Sequence, residues 1–136
     1  MFTFTNDLLT GVYTIDSAHQ QIIDQAEKIT QLALEEKIQP KINEALYFLE
    51  EYVIVHFDQE ETIQRDSDYP GYISHKNFHD LFRDRLEAII EQHDANPTSP
   101  AIKENIVKLF GEIFYTHILT MDQELAAYLR EVGFEQ

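Results

Sequence analysis

The sequence of 136 residues has no cysteine, no tryptophan and few positive charges. Without cysteine the chain cannot form disulfides, iron–sulfur clusters or thiolate zinc sites, so a metal site would need nitrogen and oxygen ligands. Ten lysine and arginine residues face 25 aspartate and glutamate residues, which gives a formal net charge of −15. Binding to phosphate groups needs clustered cations, so we expect no nucleic acid and no anionic membrane as a partner.

Long apolar runs are also missing. No stretch approaches the roughly 18 consecutive apolar residues of a membrane-spanning helix, and the start of the chain lacks the basic and apolar segments of an export signal. We therefore expect a soluble, cytoplasmic protein. Since 43% of the residues are hydrophobic and 12% aromatic, the chain can bury the core of a single domain, residues 1–136.

Proline, glycine and polar turn residues divide the sequence into an N-terminal arm, about residues 1–15, and four segments with helical spacing of apolar residues. Four helices with short connections indicate an all-α fold, an antiparallel up-down four-helix bundle over about residues 16–131. We place the helix starts near Asp16 and Ser17, at Pro40, at the N-cap Ser74 and at Ser99 with Pro100, and the helix ends before Pro40, within residues 65–71, near His93 and near Arg130.

Five of the six histidines fall into four helix-compatible clusters with a glutamate and an aspartate, and His19 alone forms the first cluster. His56 and Glu60 are four residues apart, as are His75 and His79, and a step of four brings two side chains together one helical turn apart. Each of these pairs can therefore reach a common point.

His117 and Asp122 are five residues apart, so on an α-helix they share a site only if the short aspartate approaches from the flank. A lone histidine beside apolar residues is more often a hydrogen-bonded core residue than a ligand. The whole set differs, because burying five imidazoles and two carboxylates without neighbouring basic residues would cost several kcal/mol, and a metal removes that cost. The candidate metal ligands are His19, His56, Glu60, His75, His79, His117 and Asp122.

The number of candidate ligands fits two adjacent ions. Two six-coordinate ions offer twelve positions, of which five histidines, two bridging carboxylates and one bridging oxygen fill eleven. One position then remains for a small diatomic gas. Imidazole with carboxylate suits iron better than calcium or magnesium, which prefer oxygen alone.

Four motifs follow one another along the chain and cover nearly all of it. They are Leu9-Thr10-Gly11-Val12 with Ile15-Asp16 and His19, His56-Phe57 with Glu60-Glu61 and Tyr69-Pro70, His75 with His79, and His117-Ile118 with Asp122. In this order they resemble the motifs of the hemerythrin family, in its bacterial single-domain form.

The resemblance implies a non-haem di-iron centre with a bridging oxo or hydroxo group. It implies reversible dioxygen binding for carriage, storage or sensing, with dioxygen held end-on as hydroperoxide at the iron that has the open position, and no enzymatic activity. The implied ligands are His75, His79 and His117 for one iron, His19 and His56 for the other, and Glu60 and Asp122 as bridges. From helical spacing, the candidates for an apolar wall around the gas are Leu49, Val53, Phe78, Phe82, Phe114, Ile118 and Met121.

Residues beside the motifs complete the expectations. Glu61 points about 100° away from Glu60 on a helix, so we place it on the surface. His93 lies off the motif, and we expect it to be a solvated residue at a helix end. Relatives in the family often carry two tryptophans, and Phe4 and Tyr115 take their positions in this chain.

Other functions remain open. A di-iron oxidase, peroxidase or iron-handling bundle is the nearest, but ferritin-like sites use Glu-x-x-His pairs, and no glutamate here lies three residues before a histidine. A purely structural bundle leaves the converging histidines unexplained. A sensor of nitric oxide or oxygen is a further alternative, and we expect it to act through a protein partner in trans, because the 136 residues contain no signalling segment.

Overall fold

The computed structural model describes residues 3–34 and 39–134, so the first two residues of the predicted arm and the last two of the chain lie outside it. The described residues form a short 3₁₀ helix, Asn6–Leu8, and four long helices. We number the long helices α1 (Tyr13–Leu34), α2 (Gln39–Asp66), α3 (Tyr72–Ala95) and α4 (101–131). Helix α4 is continuous and consists of five consecutive segments, Ala101–Ile106, Val107–Phe114, Tyr115–His117, Ile118–Asp122 and Gln123–Glu131.

The four helices pack in a ring. Helix α1 contacts α2, α2 contacts α3, α3 contacts α4, and α4 returns to α1. Together with the short connections, this order of neighbours is that of an antiparallel up-down bundle, as predicted. Apolar residues from all four helices fill the interior, among them Ile22, Leu49, Phe82 and Phe110. No helix in the described part of the chain is long and apolar enough to cross a membrane.

Helix α1 begins at Tyr13, earlier than predicted, because Asp16 does not cap the helix that follows it. Its Oδ1 atom accepts hydrogen bonds from the backbone N–H of Thr10 at 2.8 Å and from the Thr10 hydroxyl at 2.7 Å. Its Oδ2 atom accepts the N–H of Gly11 at 3.1 Å, and Gly11 has a φ of +86°, a conformation that favours glycine. Asp16 thus ties the arm to α1.

The arm is also tied to α4. Arg130 donates from Nη1 to the carbonyl of Thr10 at 2.7 Å, and Gln123 donates from Nε2 to the carbonyl of Leu9 at 3.0 Å. In addition, the hydroxyls of Thr5 and Tyr115 lie 2.9 Å apart. The arm therefore bridges the two helices on either side of it.

Helix α3 begins at Tyr72 rather than at the predicted N-cap Ser74. The turn between α2 and α3 is tight, so the chain reverses direction before Tyr72. In this turn Asp68 has a φ of 55°, and the N–H of Tyr69 donates to the carbonyl of Gln64 at 2.9 Å. Helix α4 begins at Ala101, with Pro100 at the N-cap position in place of the predicted Ser99. Ser99 Oγ accepts the N–H of Ala101 at 3.2 Å just before the helix.

Candidate metal centre

All four helices bring predicted ligands to one place in the bundle interior. None of the seven side chains belongs to a residue more than 2% exposed. Helix α1 contributes one candidate ligand, while each of the other three helices contributes two. In order along the chain they are His19, His56, Glu60, His75, His79, His117 and Asp122.

The seven side chains form two groups that could each hold a metal ion. Within each group, the ligand atoms all lie within 4.8 Å of one another. Glu60 belongs to both groups. The first group contains Glu60, His75, His79 and His117, and the second contains His19, His56, Glu60 and Asp122.

The carboxylate of Glu60 turns one oxygen to each group. Its Oε1 atom lies 2.9 Å from Nε2 of His75 and 3.1 Å from Nε2 of His79. Its Oε2 atom lies 3.3 Å from Nε2 of His56. A carboxylate in this position can bridge two ions.

Asp122 repeats the arrangement from the opposite helix. Its Oδ1 atom lies 2.9 Å from Nε2 of His75 and 3.1 Å from Nε2 of His117, and its Oδ2 atom lies 3.0 Å from Nε2 of His19. The pattern of two shared carboxylates is the one that the sequence resemblance implied.

The donor atoms fit metal coordination better than hydrogen bonding. Although these separations are short enough for hydrogen bonds, all four carboxylate oxygens and the Nε2 atoms of His19, His56 and His79 have no hydrogen bond of acceptable geometry among the described residues. An ion with bonds of about 2.1 Å at right angles holds neighbouring donors about 3.0 Å apart. The observed spacing of 2.9 to 3.3 Å matches that value.

Positive charge stabilises the two buried carboxylates of the centre. Burial and the carboxylate of Asp122 act to raise the pKa of Glu60, but His56 and His75 hold that pKa well below its usual range. Burial also acts to raise the pKa of Asp122, but His117 and its neighbours lower that pKa well below its usual range. Burial acts to lower the pKa of His75, yet the two carboxylates raise it to about 9. A metal cation would supply the charge that a protonated histidine supplies without it.

The backbone of α4 explains how residues five apart reach one site. Val107–Phe114 and Ile118–Asp122 are π-helical, a rare form that is frequent at functional sites. Its hydrogen bonds run from residue i to i+5, so the wider turn places His117 and Asp122 over one another. On an α-helix, the form predicted from the sequence, Asp122 would have to approach from the flank.

Aromatic rings hold the ligand imidazoles from the sides. Phe57 stacks on His79 with centroids 3.8 Å apart and planes at 3°, and Phe78 stacks on His117 at 3.9 Å and 1°. Phe114 meets His19 edge-on at 5.7 Å. Of the predicted wall residues, Phe78 and Met121 are partly buried, while the buried ones are Leu49, Val53, Phe82, Phe114 and Ile118.

The prediction that Glu61 lies on the surface is wrong. Glu61 is only 5% exposed, and its Oε2 atom lies 2.8 Å from Nδ1 of His79 and accepts a hydrogen bond from Arg83 at 2.9 Å. The helical angle from Glu60 was correct, but α3 occupies that direction. Arg83, one turn after His79, was the signal in the sequence.

The prediction of a solvated His93 is also wrong. The residue is only 3% exposed, and neither ring nitrogen has a hydrogen-bond partner among the described residues. Burial lowers the pKa of His93. It borders a cavity of about 290 Å³ near the turn between α3 and α4 and belongs to neither ligand group. The packing of that turn, which the sequence does not reveal, covers it.

Comparison with known proteins agrees with this geometry. The model of the hemerythrin HHE cation binding domain matches residues 10–129. The chain belongs to the hemerythrin family. The matched range includes all seven clustered side chains. It also includes Thr10 and Gly11, the arm residues that are hydrogen-bonded to Asp16.

Several hemerythrin relatives are similar over part of their length. The chain is 33% identical to a bacteriohemerythrin of Pseudomonas aeruginosa (strain LESB58) over 81 residues, which are 60% of this chain and 52% of the relative. It is 22% identical to a bacteriohemerythrin of Stenotrophomonas maltophilia (strain R551-3) over 126 residues, which are 93% of this chain and 80% of the relative. The match thus spans about half the length of the Pseudomonas protein.

Proposed function

We propose that this hemerythrin-family chain binds dioxygen reversibly, without turnover, at two iron ions joined by an oxo or hydroxo bridge. The observation that carries the proposal is that Glu60 and Asp122 each turn one oxygen to each of two histidine groups. Imidazole and carboxylate donors suit iron. When bound, the two ions would supply the electrons that dioxygen takes up on binding and returns on release.

The two sides of the centre differ in their protein ligands. His75, His79 and His117 would hold one iron, and only His19 and His56 would hold the other. Glu60 and Asp122 would be shared between them. The side with two histidines therefore has fewer protein donors. We assign the binding of the small ligand to that side.

The chain's own residues keep water and protons from the centre. The ring of Phe114 covers His19, while Phe57 and Phe78 cover His79 and His117. Apolar surroundings strengthen electrostatic contacts and slow the loss of a charged ligand to solvent. Such a lining favours reversible binding over oxidation of further substrates.

A surface groove gives a small gas a way in. The groove lies between α1 and α2, has a volume of about 490 Å³ and borders His56, which is itself 2% exposed. Ala18, Val55 and Gln59 are among the residues that line it. We propose that dioxygen enters there, on the side with two histidines.

Metal analysis with visible spectroscopy tests the proposal. The purified chain is loaded with ferrous iron without air, exposed to air and then deoxygenated. We expect two irons per chain and an absorption band that appears with air and disappears on deoxygenation. Irreversible oxidation would favour an oxidase or iron-handling protein, and a folded chain without iron would overturn the proposal.

A further inference from the structure

We propose that Glu61 is a positioning residue that holds the imidazole of His79 in the tautomer with its N–H on Nδ1 and makes the group of three histidines the tighter of the two metal positions. The inference rests on the proposed metal centre. It concerns a carboxylate outside the seven ligands, held at a ligand's outer nitrogen.

The two nitrogens of His79 face different partners. Its Nε2 atom lies 3.1 Å from Oε1 of Glu60 inside the centre, and its Nδ1 atom lies 2.8 Å from Oε2 of Glu61. An ionised carboxylate can only accept a hydrogen bond, so the imidazole proton belongs on Nδ1. The lone pair of Nε2 then points to the metal position in advance of binding.

Arg83 holds the Glu61 side chain in place. Its Nη2 atom donates to Oε2 of Glu61 at 2.9 Å and to Oδ1 of Asp58 at 3.0 Å, and its Nη1 atom donates to Asp80 at 2.9 Å. The guanidinium also lies 5.3 Å from the ring centroid of Phe57, which stacks on His79. One cation therefore supports both the edge and the face of this imidazole.

Three of the other candidate histidines lack this support. The Nδ1 atoms of His19, His75 and His117 have no hydrogen-bond partner within the part of the chain that the structure describes. A carboxylate on the outer nitrogen makes an imidazole a stronger donor, and loss of such a partner typically lowers metal affinity about 10–100-fold. His79 belongs to the three-histidine group, so that group gains the contact with Glu61 in addition to its third histidine.

The contact has a rival explanation, which is that Glu61 and Arg83 only tie α2 to α3. Asp58 offers a matched control, because its side chain is 67% exposed and it shares Arg83 with Glu61 without touching a ligand. A tie between helices would be weakened by either change. Only Glu61 should affect the metal.

Titration with cobalt(II) under nitrogen tests the inference, with the visible spectrum as the readout. We expect the unchanged chain to bind one ion tightly and a second more weakly. Glu61→Gln should weaken the first step about tenfold or more and leave the second unchanged, whereas Asp58→Asn should change neither. Wild-type affinity for the first ion in a folded Glu61→Gln variant would overturn the role of Glu61 and leave the metal centre standing. Failure of the unchanged chain to bind cobalt or iron would overturn both.

A second measurement needs no variant. Nitrogen-15 NMR of the zinc-loaded chain reports which nitrogen of His79 carries the proton. We expect the proton on Nδ1, with slow exchange because Glu61 covers it. A proton on Nε2, or an Nδ1 proton that exchanges as fast as that of an exposed histidine, would contradict the proposal.

Discussion

His117 and Asp122 are five residues apart on α4, yet Nε2 of His117 lies 3.1 Å from Oδ1 of Asp122. The π-helical backbone of Ile118–Asp122 makes this contact possible, because its hydrogen bonds connect residues five apart. The candidate metal centre therefore depends on a local departure from the α-helix as well as on the identity of its ligands.

Glu60 should be essential for metal binding, because it faces both histidine groups. We expect Glu60→Ala to lose most of its iron, measured as irons per folded chain by elemental analysis. Glu44→Ala, an exposed change on the same helix, is the control and should keep two irons per chain. A Glu60→Ala protein that retained two irons would remove Glu60 from the site.

Metal should raise thermal stability, because the empty centre buries two carboxylates close together. An ion present at about a thousand times its dissociation constant stabilises the fold by about 4 kcal/mol. For a domain of this size, that corresponds to a rise in Tm of roughly 10 °C or more. Calorimetry of apo and iron-loaded chains checks this, and equal melting temperatures would count against a buried metal centre.

His93 should make the fold sensitive to mild acid. Burial lowers the pKa of His93, so the folded state holds fewer protons than the unfolded state. The contribution of His93 to the free energy of unfolding is fully present above about pH 6.5, the ordinary pKa of histidine. As the pH drops below that value, this contribution decreases by at most about 1.4 kcal/mol per pH unit. Urea denaturation at pH 7.5 and 5.5 should show a smaller loss on acidification for His93→Gln than for the unchanged chain.

The same His93→Gln protein serves a second purpose. His93 belongs to neither ligand group, so we expect the metal content and the oxygen spectrum to stay unchanged. A large spectral change would mean that the cavity beside α3 and α4 communicates with the centre.

The groove at His56 should control the rate of oxygen binding. Ala18 lines this groove, and a larger side chain there would narrow it. We expect Ala18→Phe to slow oxygen association several-fold at unchanged iron content, measured by stopped-flow absorption. Ala127→Phe, an exposed change on α4, is the control. Equal rates in both variants would rule out entry through the groove.

Helical spacing was enough to predict the bundle and to select the seven side chains that cluster. Pairs such as His56 with Glu60 depend only on the period of the helix, and the start of α4 next to Ser99 and Pro100 depends on local turn residues. Both are properties of short segments. The sequence carries such information directly.

The features that the sequence reading missed depend on neighbouring elements. An angle on a helical wheel gives the direction of Glu61 but not that α3 and Arg83 occupy it. His93 is buried by the turn that follows it, and Asp16 bonds back to the arm rather than forward to α1. For Glu61 a tertiary contact decided between two locally acceptable states, and for His93 and Asp16 the adjoining segment of the chain decided.

The N-terminal arm connects Gly11 to the candidate metal centre through a series of hydrogen bonds. Gly11 has a φ of +86°, which other residues adopt only with strain, and its N–H is bound by Asp16. The neighbouring carbonyls of Leu9 and Thr10 hold Gln123 and Arg130, and Gln123 directly follows Asp122. A substitution outside the bundle interior can therefore affect the centre. A change at Gly11 would disturb the alignment of the helices that carry His19 and Asp122. Iron retention can thus serve as a test of how the arm folds.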